Sequence, residues 1–281
     1  MEMYGIKYKK PKVTLLKESG IGVAELAARV CYDSFENSEN EAVKNFMEEK
    51  DTEALNEVED SELLESLAWV YHHHSIIEHA TLSFLIEGTS RGVLQEHARH
   101  RIQSISVRST RYTMSGIMNA FAAIKSSDGS FFEFVELLEN FDFLILEDLE
   151  YRKIEYFSIF EKLNYQYEKL GKKEFYKISV AKSSLDILNQ DLSIKEKFEK
   201  LENGPKKRNV GDPFKHIVSD NWKVNLVVTF NIRSLKNYFD LRDSGAAWFQ
   251  IQWLAKAMKE VTPVKYLKLI DKKYKKESTP K

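Results

Sequence analysis

The stretch around which this chain is organised is Glu96–Tyr112, with the sequence EHARHRIQSISVRSTRY. It contains four arginines and two histidines, and no acidic residue follows Glu96 within it. Apolar residues ahead of Arg101 recur at helical spacing, whereas residues 102–108 alternate as an extended chain does. The basic side chains are therefore predicted at a helix-to-strand corner, where main-chain N–H groups, hydroxyls and arginine forks can bind a phosphate.

Two other interpretations of this basic stretch are open. Exposed arginines often form a solvated face or a set of ion pairs, and they also bind the backbone phosphates of nucleic acids. The formal net charge of the chain is -1, so no global attraction to nucleic acid or to an anionic membrane is expected. The basic cluster is a local feature, which favours a small anionic partner.

The composition limits the classes of protein to which this chain can belong. With 281 residues and 43% hydrophobic content, the chain can bury a large core as one domain or as a domain with an insertion. It has neither an apolar run long enough to span a bilayer nor the apolar core of a secretory signal, so we expect a cytoplasmic protein. Its single cysteine, Cys31, excludes an internal disulfide framework and fits a reducing compartment.

Three segments together resemble the flavin-dependent thymidylate synthases. Arg99-His100-Arg101, seven residues, Ser109 and then Arg111-Tyr112 are similar to the signature of that family. HHSIIEHATLSF (His73–Phe84) precedes this signature and NIRSLKNYFDLR (Asn231–Arg242) follows it, each in the order that the family shows. The agreement of three ordered segments identifies the chain as a member.

The resemblance implies an α+β fold with a mixed or antiparallel sheet and long helices, in a single domain over residues 1–281. Residues 131–213 are expected to form an enlarged helical region with a loop. The resemblance also implies a homotetramer with shared active sites. Net charge, hydropathy and the spacing of the histidines lead us to expect no nucleic acid, membrane or metal as partner. The reaction would be reductive methylation of dUMP to dTMP, using FAD, NADPH and 5,10-methylenetetrahydrofolate.

Residue by residue, the resemblance implies two overlapping sites. The predicted FAD contacts are Cys31, His73, Ser75, Arg99, His100, Arg101, Val107, Asn231, Ile232, Arg233, Asn237 and Leu241. The predicted dUMP contacts are Glu96, Arg99, Val107, Arg108, Ser109, Thr110, Arg111, Lys215 and Arg242. Arg242 matches the residue that polarises the pyrimidine, so it is the predicted catalytic residue.

Three positions depart from the pattern of the family. Val107 stands where members usually carry Glu or Gln, Lys215 where they carry Arg, and Gly245 where many carry His. Lysine keeps the charge of arginine but lacks its two-pronged fork. Cys31 is expected to be a small buried hydrophobe or to lie beside the cofactor, and we do not assign it as a nucleophile. Two rivals stay open: another flavin oxidoreductase, and a nucleotide-binding homologue without turnover.

Local patterns predict where these residues lie. Ser61 is predicted to cap a helix, and Glu78 to open a strand in which Leu82, Phe84 and Ile86 share an apolar face. A helix is expected over residues 90–101 and extended chain from there to about residue 115. Further along, a strand over residues 215–232 precedes a helix from Asn231, on which Arg233 and Asn237 share one face and Arg242 projects from the other. The adjacent histidines 72–74 diverge too much for a helical metal pair.

Overall fold

The computed structural model describes residues 1–139 and 141–275. Its strands are β1 (Glu2–Met3), β2 (Ile6–Lys7), β3 (Lys12–Glu18), β4 (Thr81–Ser90), β5 (Ser104–Val107) and β6 (Lys223–Asn231). Its α-helices are α1 (Gly22–Tyr32), α2 (Glu41–Lys44), α3 (Phe46–Glu49), α4 (Glu62–Trp69), α5 (Arg91–His97), α6 (Thr110–Thr113), α7 (Ser115–Ser126), α8 (Phe131–Leu138), α9 (Leu149–Leu170), α10 (Lys172–Ser179), α11 (Ile194–Asn203), α12 (Gly211–Phe214), α13 (Ile232–Arg242), α14 (Phe249–Glu260) and α15 (Val264–Ile270). Short 3-10 helices cover Phe35–Asn37, Ala54–Glu57, Ile76–His79, Lys182–Asn189, Lys215–Ile217 and Lys272–Tyr274.

The chain divides into two compact units. The helical unit consists of Met1–Lys10, Ser90–Gly92 and Arg108–Val224. The sheet unit consists of Pro11–Thr89, Val93–Val107 and the chain from Asn225 onward. The prediction of one domain over residues 1–281 stays a prediction.

A four-stranded sheet organises the sheet unit. Its strand order is β3-β4-β6-β5, and the β3–β4 and β5–β6 pairs are antiparallel. Alternate residues of β4 and β6 are buried, among them Leu82, Phe84 and Ile86 as predicted, because one face of each strand meets the core. Together with the helices, this sheet confirms the predicted α+β fold.

Polar side chains cap two helices of the sheet unit at the predicted places. The hydroxyl of Ser61 accepts a hydrogen bond from the N–H of Leu64 at the start of α4. The side-chain oxygen of Asn231 accepts one from the N–H of Ser234 at the start of α13 over 2.8 Å. Each cap satisfies a main-chain donor that the helix itself leaves without a partner, and therefore fixes where the helix begins.

A cluster of aromatic rings forms the core of the helical unit. Phe121 of α7 lies against the rings of Phe134, Phe160, Tyr167 and Phe175 at centroid distances of 5.4 to 6.2 Å. Helices of residues 131–213 therefore pack on α7 in one core, which large aromatic side chains stabilise through the area they bury. That this region is enlarged stays a prediction.

Four local predictions of secondary structure were wrong. The strand expected over residues 215–232 begins only at Lys223, and Lys215–Ile217 form a 3-10 helix instead. Glu78 lies in a 3-10 helix ahead of β4, and α5 ends at His97 rather than continuing to residue 101. The extended chain inside the basic stretch ends at Val107 instead of continuing to about residue 115, and α6 and α7 follow from Thr110 onward. Residues 115–124 of α7 are all buried, and a helix that is covered on every side shows no 3.6-residue pattern from which it could be predicted.

Candidate active site

A cavity of about 930 Å³ opens in the sheet unit. Its lining includes four arginines and a single carboxylate, so its walls carry an excess of positive charge. The lining residues are Glu78, Arg99, His100, Arg101, Ile102, Arg233, Ser234, Asn237, Leu241, Arg242, Ser244, Ala246 and Ala247. A cavity of this size with convergent cationic groups suits a small anionic ligand or cofactor.

Helix α13 supplies one wall of this cavity. Arg233, Asn237 and Leu241 follow each other at intervals of four residues, which places them on one face. Arg242 also lines the cavity, so the prediction that it projects from the opposite side was wrong. It is the last residue of α13, and its long side chain reaches back to the segment that follows α5.

Three groups hold the guanidinium of Arg242. Its Nε donates to Nε2 of His100 over 2.9 Å, and one terminal nitrogen lies 3.0 Å from the carboxylate of Glu96. The other terminal nitrogen donates to the main-chain carbonyl of Glu96 over 3.3 Å. The side chain of Arg242 is only 16% exposed, so these contacts fix its position at the cavity wall.

The histidines behind Arg242 are held neutral. Burial, together with the charge of Arg242, lowers the pKa of His100, although Glu96 opposes the shift. Burial, with His100 next in importance, lowers the pKa of His97 to about 4. Because Nε2 of His100 accepts the bond from Arg242, the proton of this neutral imidazole is on Nδ1. Arg242 is therefore the cation of this group at neutral pH.

An aromatic stack, formed by His97, His100 and Tyr238, supports the side chains that hold Arg242. Nδ1 of His97 lies 3.1 Å from the hydroxyl of Tyr238, a fully buried residue of α13. The ring of Tyr238 packs edge-on against His97 at 5.1 Å and against His100 at 4.8 Å. Burial also raises the pKa of Tyr238, so its hydroxyl stays protonated. This stack connects α13 to the segment that carries Glu96 and His100.

Other ion pairs balance part of the positive charge of the cavity. Arg233 pairs with Glu78, and both side chains are about half exposed. Arg99 lies 3.3 Å from the carboxylate of Glu96, with most of its own side chain exposed. Exposed pairs of this kind contribute little to stability, so an anionic ligand can replace the carboxylate of Glu78 or Glu96 at a small cost in free energy.

The helical unit contains a second group of predicted residues. Arg108 and Ser109 connect β5 to α6, Thr110 and Arg111 lie in α6, and Lys215 begins a 3-10 helix. The Ser109 hydroxyl accepts a hydrogen bond from the N–H of Arg111 over 3.3 Å. Lys215 is exposed, as are Ser109 and Arg111. These side chains offer hydroxyl and cationic groups of the kind that bind a phosphate.

Several predicted FAD residues lie outside the cavity lining. Cys31 is exposed at the end of α1, so the expectation of a small buried hydrophobe was wrong. His73 and Ser75 are exposed between α4 and the following 3-10 helix. Val107 ends β5. Ile232 is fully buried in the core of the sheet unit, so any contact from it to a ligand would come from its main chain.

The sequence interpretation missed part of the lining. Ile102, Ser234, Ser244, Ala246 and Ala247 line the cavity together with Glu78. Ser234 is a neighbour of Arg233 in sequence, and residues 244–247 directly follow Arg242, so closeness to predicted residues was the signal that could have found them. Ile102 directly follows Arg101 and could have been found in the same way, although its apolar side chain gives no chemical signal of its own.

Neither a metal cluster nor a membrane helix was found in the part of the chain that the structure describes. No group of three or more His, Cys, Asp or Glu side chains in residues 1–139 and 141–275 is arranged to bind a metal. Among the same residues, no helix combines the length and the apolar character that crossing a bilayer requires.

Known proteins resemble this chain over most of its length. The family model described as Thymidylate synthase complementing protein (Thy1) matches residues 14–264. The flavin-dependent thymidylate synthase of Helicobacter pylori (strain ATCC 700392 / 26695) is 30% identical over 247 residues, which are 86% of this chain and 89% of that protein. The enzyme of the same description from Campylobacter jejuni (strain RM1221) is 29% identical over 253 residues, covering 90% and 92%. A crystal structure of ThyX from Helicobacter pylori complexed with FAD and dUMP is similar with a TM-score of 0.56 and 25% identity, covering 92% of this chain and 98% of that one.

Proposed function

The chain belongs to the family of flavin-dependent thymidylate synthases, and from this premise we propose that it methylates dUMP to dTMP. The one-carbon donor is 5,10-methylenetetrahydrofolate, and NADPH is the reductant. The observation that carries the proposal is the cavity of the sheet unit, where Arg242 is held by the neutral His100 and by Glu96.

The donor set of this cavity fits FAD. A dinucleotide carries two adjoining phosphates, which the guanidinium groups of Arg99, Arg101 and Arg233 can bind. Asn237 adds an amide, and the cavity also has an apolar edge at Leu241 and Ile102. Bound FAD, once reduced by NADPH, would supply the hydride that reduces the transferred one-carbon unit. We propose that Cys31, His73, Ser75, Val107, Asn231 and Ile232 complete this site.

Arg242 is the residue to which we assign polarisation of the pyrimidine. A fixed cation at the carbonyl edge of the base stabilises negative charge that develops there, and a buried, preorganised cation does so better than one in water. The contacts to His100 and to the Glu96 carbonyl fix the guanidinium, and the Glu96 carboxylate, 3.0 Å from one terminal nitrogen, offsets part of its charge. Cys31 is exposed, and we assign it no nucleophilic role in this electrostatic route.

We assign the phosphate of dUMP to the second group of residues. Arg111 and Lys215 supply charge, Ser109 and Thr110 supply hydroxyl groups, and Arg108 adjoins them in sequence. Glu96, Arg99 and Val107 remain proposed contacts of the nucleotide.

A homotetramer with shared active sites belongs to the same proposal. Val30, Tyr32, Val70 and Tyr71 are exposed large apolar residues on and after the neighbouring helices α1 and α4. Large exposed apolar groups favour burial against another chain. Cys31, a proposed FAD contact, lies between two of them in sequence, so association would bring this contact to an interface. Light scattering coupled to gel filtration measures the number of subunits.

The test of the proposed reaction is dTMP formation from dUMP, NADPH and methylenetetrahydrofolate, with added FAD and after removal of the flavin. We expect product only with FAD. Arg242→Ala should lower turnover by about a hundredfold or more, since it removes the polarising cation, while leaving flavin bound. Lys153→Ala, which removes an exposed cation from α9, is the control and should keep wild-type turnover.

The outcomes separate the alternatives. Product that forms without flavin would contradict the mechanism and direct attention to Cys31. Binding of FAD and dUMP without product would favour a homologue that has lost turnover, with Val107, Lys215 and Gly245 as the first positions to change. Flavin turnover without dUMP binding would favour another oxidoreductase. Unchanged turnover in Arg242→Ala would refute the role of Arg242.

A further inference from the structure

A carboxylate from a distant part of the sequence holds the arginine assigned to the phosphate. Nε of Arg111 donates to Oδ1 of Asp212 over 2.6 Å. Both residues belong to the helical unit. Asp212 lies in α12, just ahead of Lys215, and no motif in the sequence pointed to it.

The geometry of this pair leaves the binding end of the arginine available. A guanidinium has five N–H donors, and its two terminal nitrogens form the fork that binds a phosphate in bidentate fashion. Asp212 is bonded through the single donor on Nε, at the side of the group. The side chain of Arg111 is 56% exposed, so its fork remains accessible to a ligand.

Close packing fixes the position from which Asp212 acts. Helix α12 packs against α6, and a Cβ added at Gly211 would lie 2.6 Å from the Cα of Arg111 and 3.0 Å from the carbonyl oxygen of Thr110. Only glycine allows this approach of two main chains. Val210 and Phe214, on either side, are fully buried and anchor the segment. Asp212 is therefore held by the fold and does not depend on the ion pair for its place.

We propose that Asp212 is a positioning residue that orients Arg111 toward the phosphate of the nucleotide substrate. This inference rests on the proposed function, and it goes beyond it by assigning a role to a residue that does not itself touch the nucleotide. An exposed ion pair contributes little to stability, so the effect of Asp212 is expected in phosphate recognition rather than in folding. The alternative is that Asp212 competes with the phosphate for Arg111, which predicts the opposite sign.

The experiment compares the affinities of dUMP and deoxyuridine, which differ only in the phosphate, for the full-length FAD-loaded protein. Asp212→Asn should weaken dUMP binding by about fivefold, because a neutral amide oxygen holds Nε less strongly than a carboxylate does and the arginine must then be ordered on binding. Its affinity for deoxyuridine should stay within about twofold of wild type. Asp212→Glu, which keeps a carboxylate, should recover part of the loss. Glu174→Gln, which breaks an exposed ion pair with Lys177 elsewhere in the helical unit, is the matched control and should change neither affinity.

A double-mutant cycle shows whether Asp212 acts through Arg111. In an Arg111→Ala background, Asp212→Asn should have no further effect on dUMP affinity, because the group that it orients is gone. Additive effects of the two substitutions on dUMP affinity would overturn the proposal. An equal loss of affinity for dUMP and deoxyuridine in Asp212→Asn, or tighter binding of dUMP by that variant, would overturn it as well. If the wild-type protein binds no dUMP, the proposed function fails and this inference fails with it. Binding by the wild type with unchanged affinity in Asp212→Asn would overturn the role of Asp212 alone.

Discussion

Removing the buried imidazole of His97 should change how stability depends on pH. His97 is 1% exposed, and burial lowers its pKa to about 4 from an ordinary value of 6.5. Between these two values the unfolded chain binds a proton that the folded chain does not, so lowering the pH through this window favours unfolding. The free energy of unfolding should fall from about pH 6.5 and level off below about pH 4.

The size of the effect follows from the two pKa values. A shift from 6.5 to about 4 makes His97 alone responsible for a loss of about 2 kcal/mol between pH 7 and pH 5. In His97→Gln this contribution is absent, because glutamine does not titrate. The pH range ends at 5 so that most carboxylates stay ionised in both states.

The assay is denaturant unfolding of wild type and His97→Gln at pH 7 and pH 5, at one protein concentration. Wild type should lose about 2 kcal/mol more than the variant on going to pH 5. His79→Gln, which removes an exposed imidazole, controls for the substitution itself. Equal losses in wild type and His97→Gln would refute the conclusion that His97 is buried and neutral behind Arg242. Retained dTMP formation at pH 7 by His97→Gln would further show that the stack is not required to hold Arg242.

Two further substitutions test the cavity and the core. Glu78→Gln removes the carboxylate paired with Arg233, so FAD should bind about threefold more tightly in a flavin fluorescence titration, whereas weaker binding would mean that Glu78 itself contacts the cofactor. Phe121→Ala removes the ring at the centre of the aromatic cluster and should cost about 3–5 kcal/mol of unfolding free energy. Phe132→Ala, at a position 76% exposed, is its control in the same denaturant experiment, and equal losses in both variants would contradict the placement of Phe121 in the core.

Local patterns in the sequence were sufficient for several elements. The alternation of Leu82, Phe84 and Ile86 predicted a strand with one buried face, because side chains of a strand point to opposite sides in turn. Ser61 and Asn231 marked helix starts, because a cap acts on donors only two or three residues away. In these cases the physical cause lies within a few residues of the feature, so it can be recognised in the sequence.

Other features depend on contacts between distant residues. Helix α7 is buried on all sides, so its sequence has no polar face to show the helical period. Arg242 was expected on the face opposite Arg233, yet both line one cavity, since the position of the guanidinium is set by His100 and Glu96 rather than by helical spacing.

The sequence by itself determined the family, because three ordered segments resemble those of its members, and that resemblance implied the α+β fold and most of the charged residues of the cavity. Only the tertiary structure decided which side chains form hydrogen bonds with each other across the sequence. His100 meets Arg242 across 142 positions of sequence, and Arg111 meets Asp212 across 101. Local sequence patterns do not reveal such pairs, because the two residues meet only when the packing of buried side chains brings their segments together.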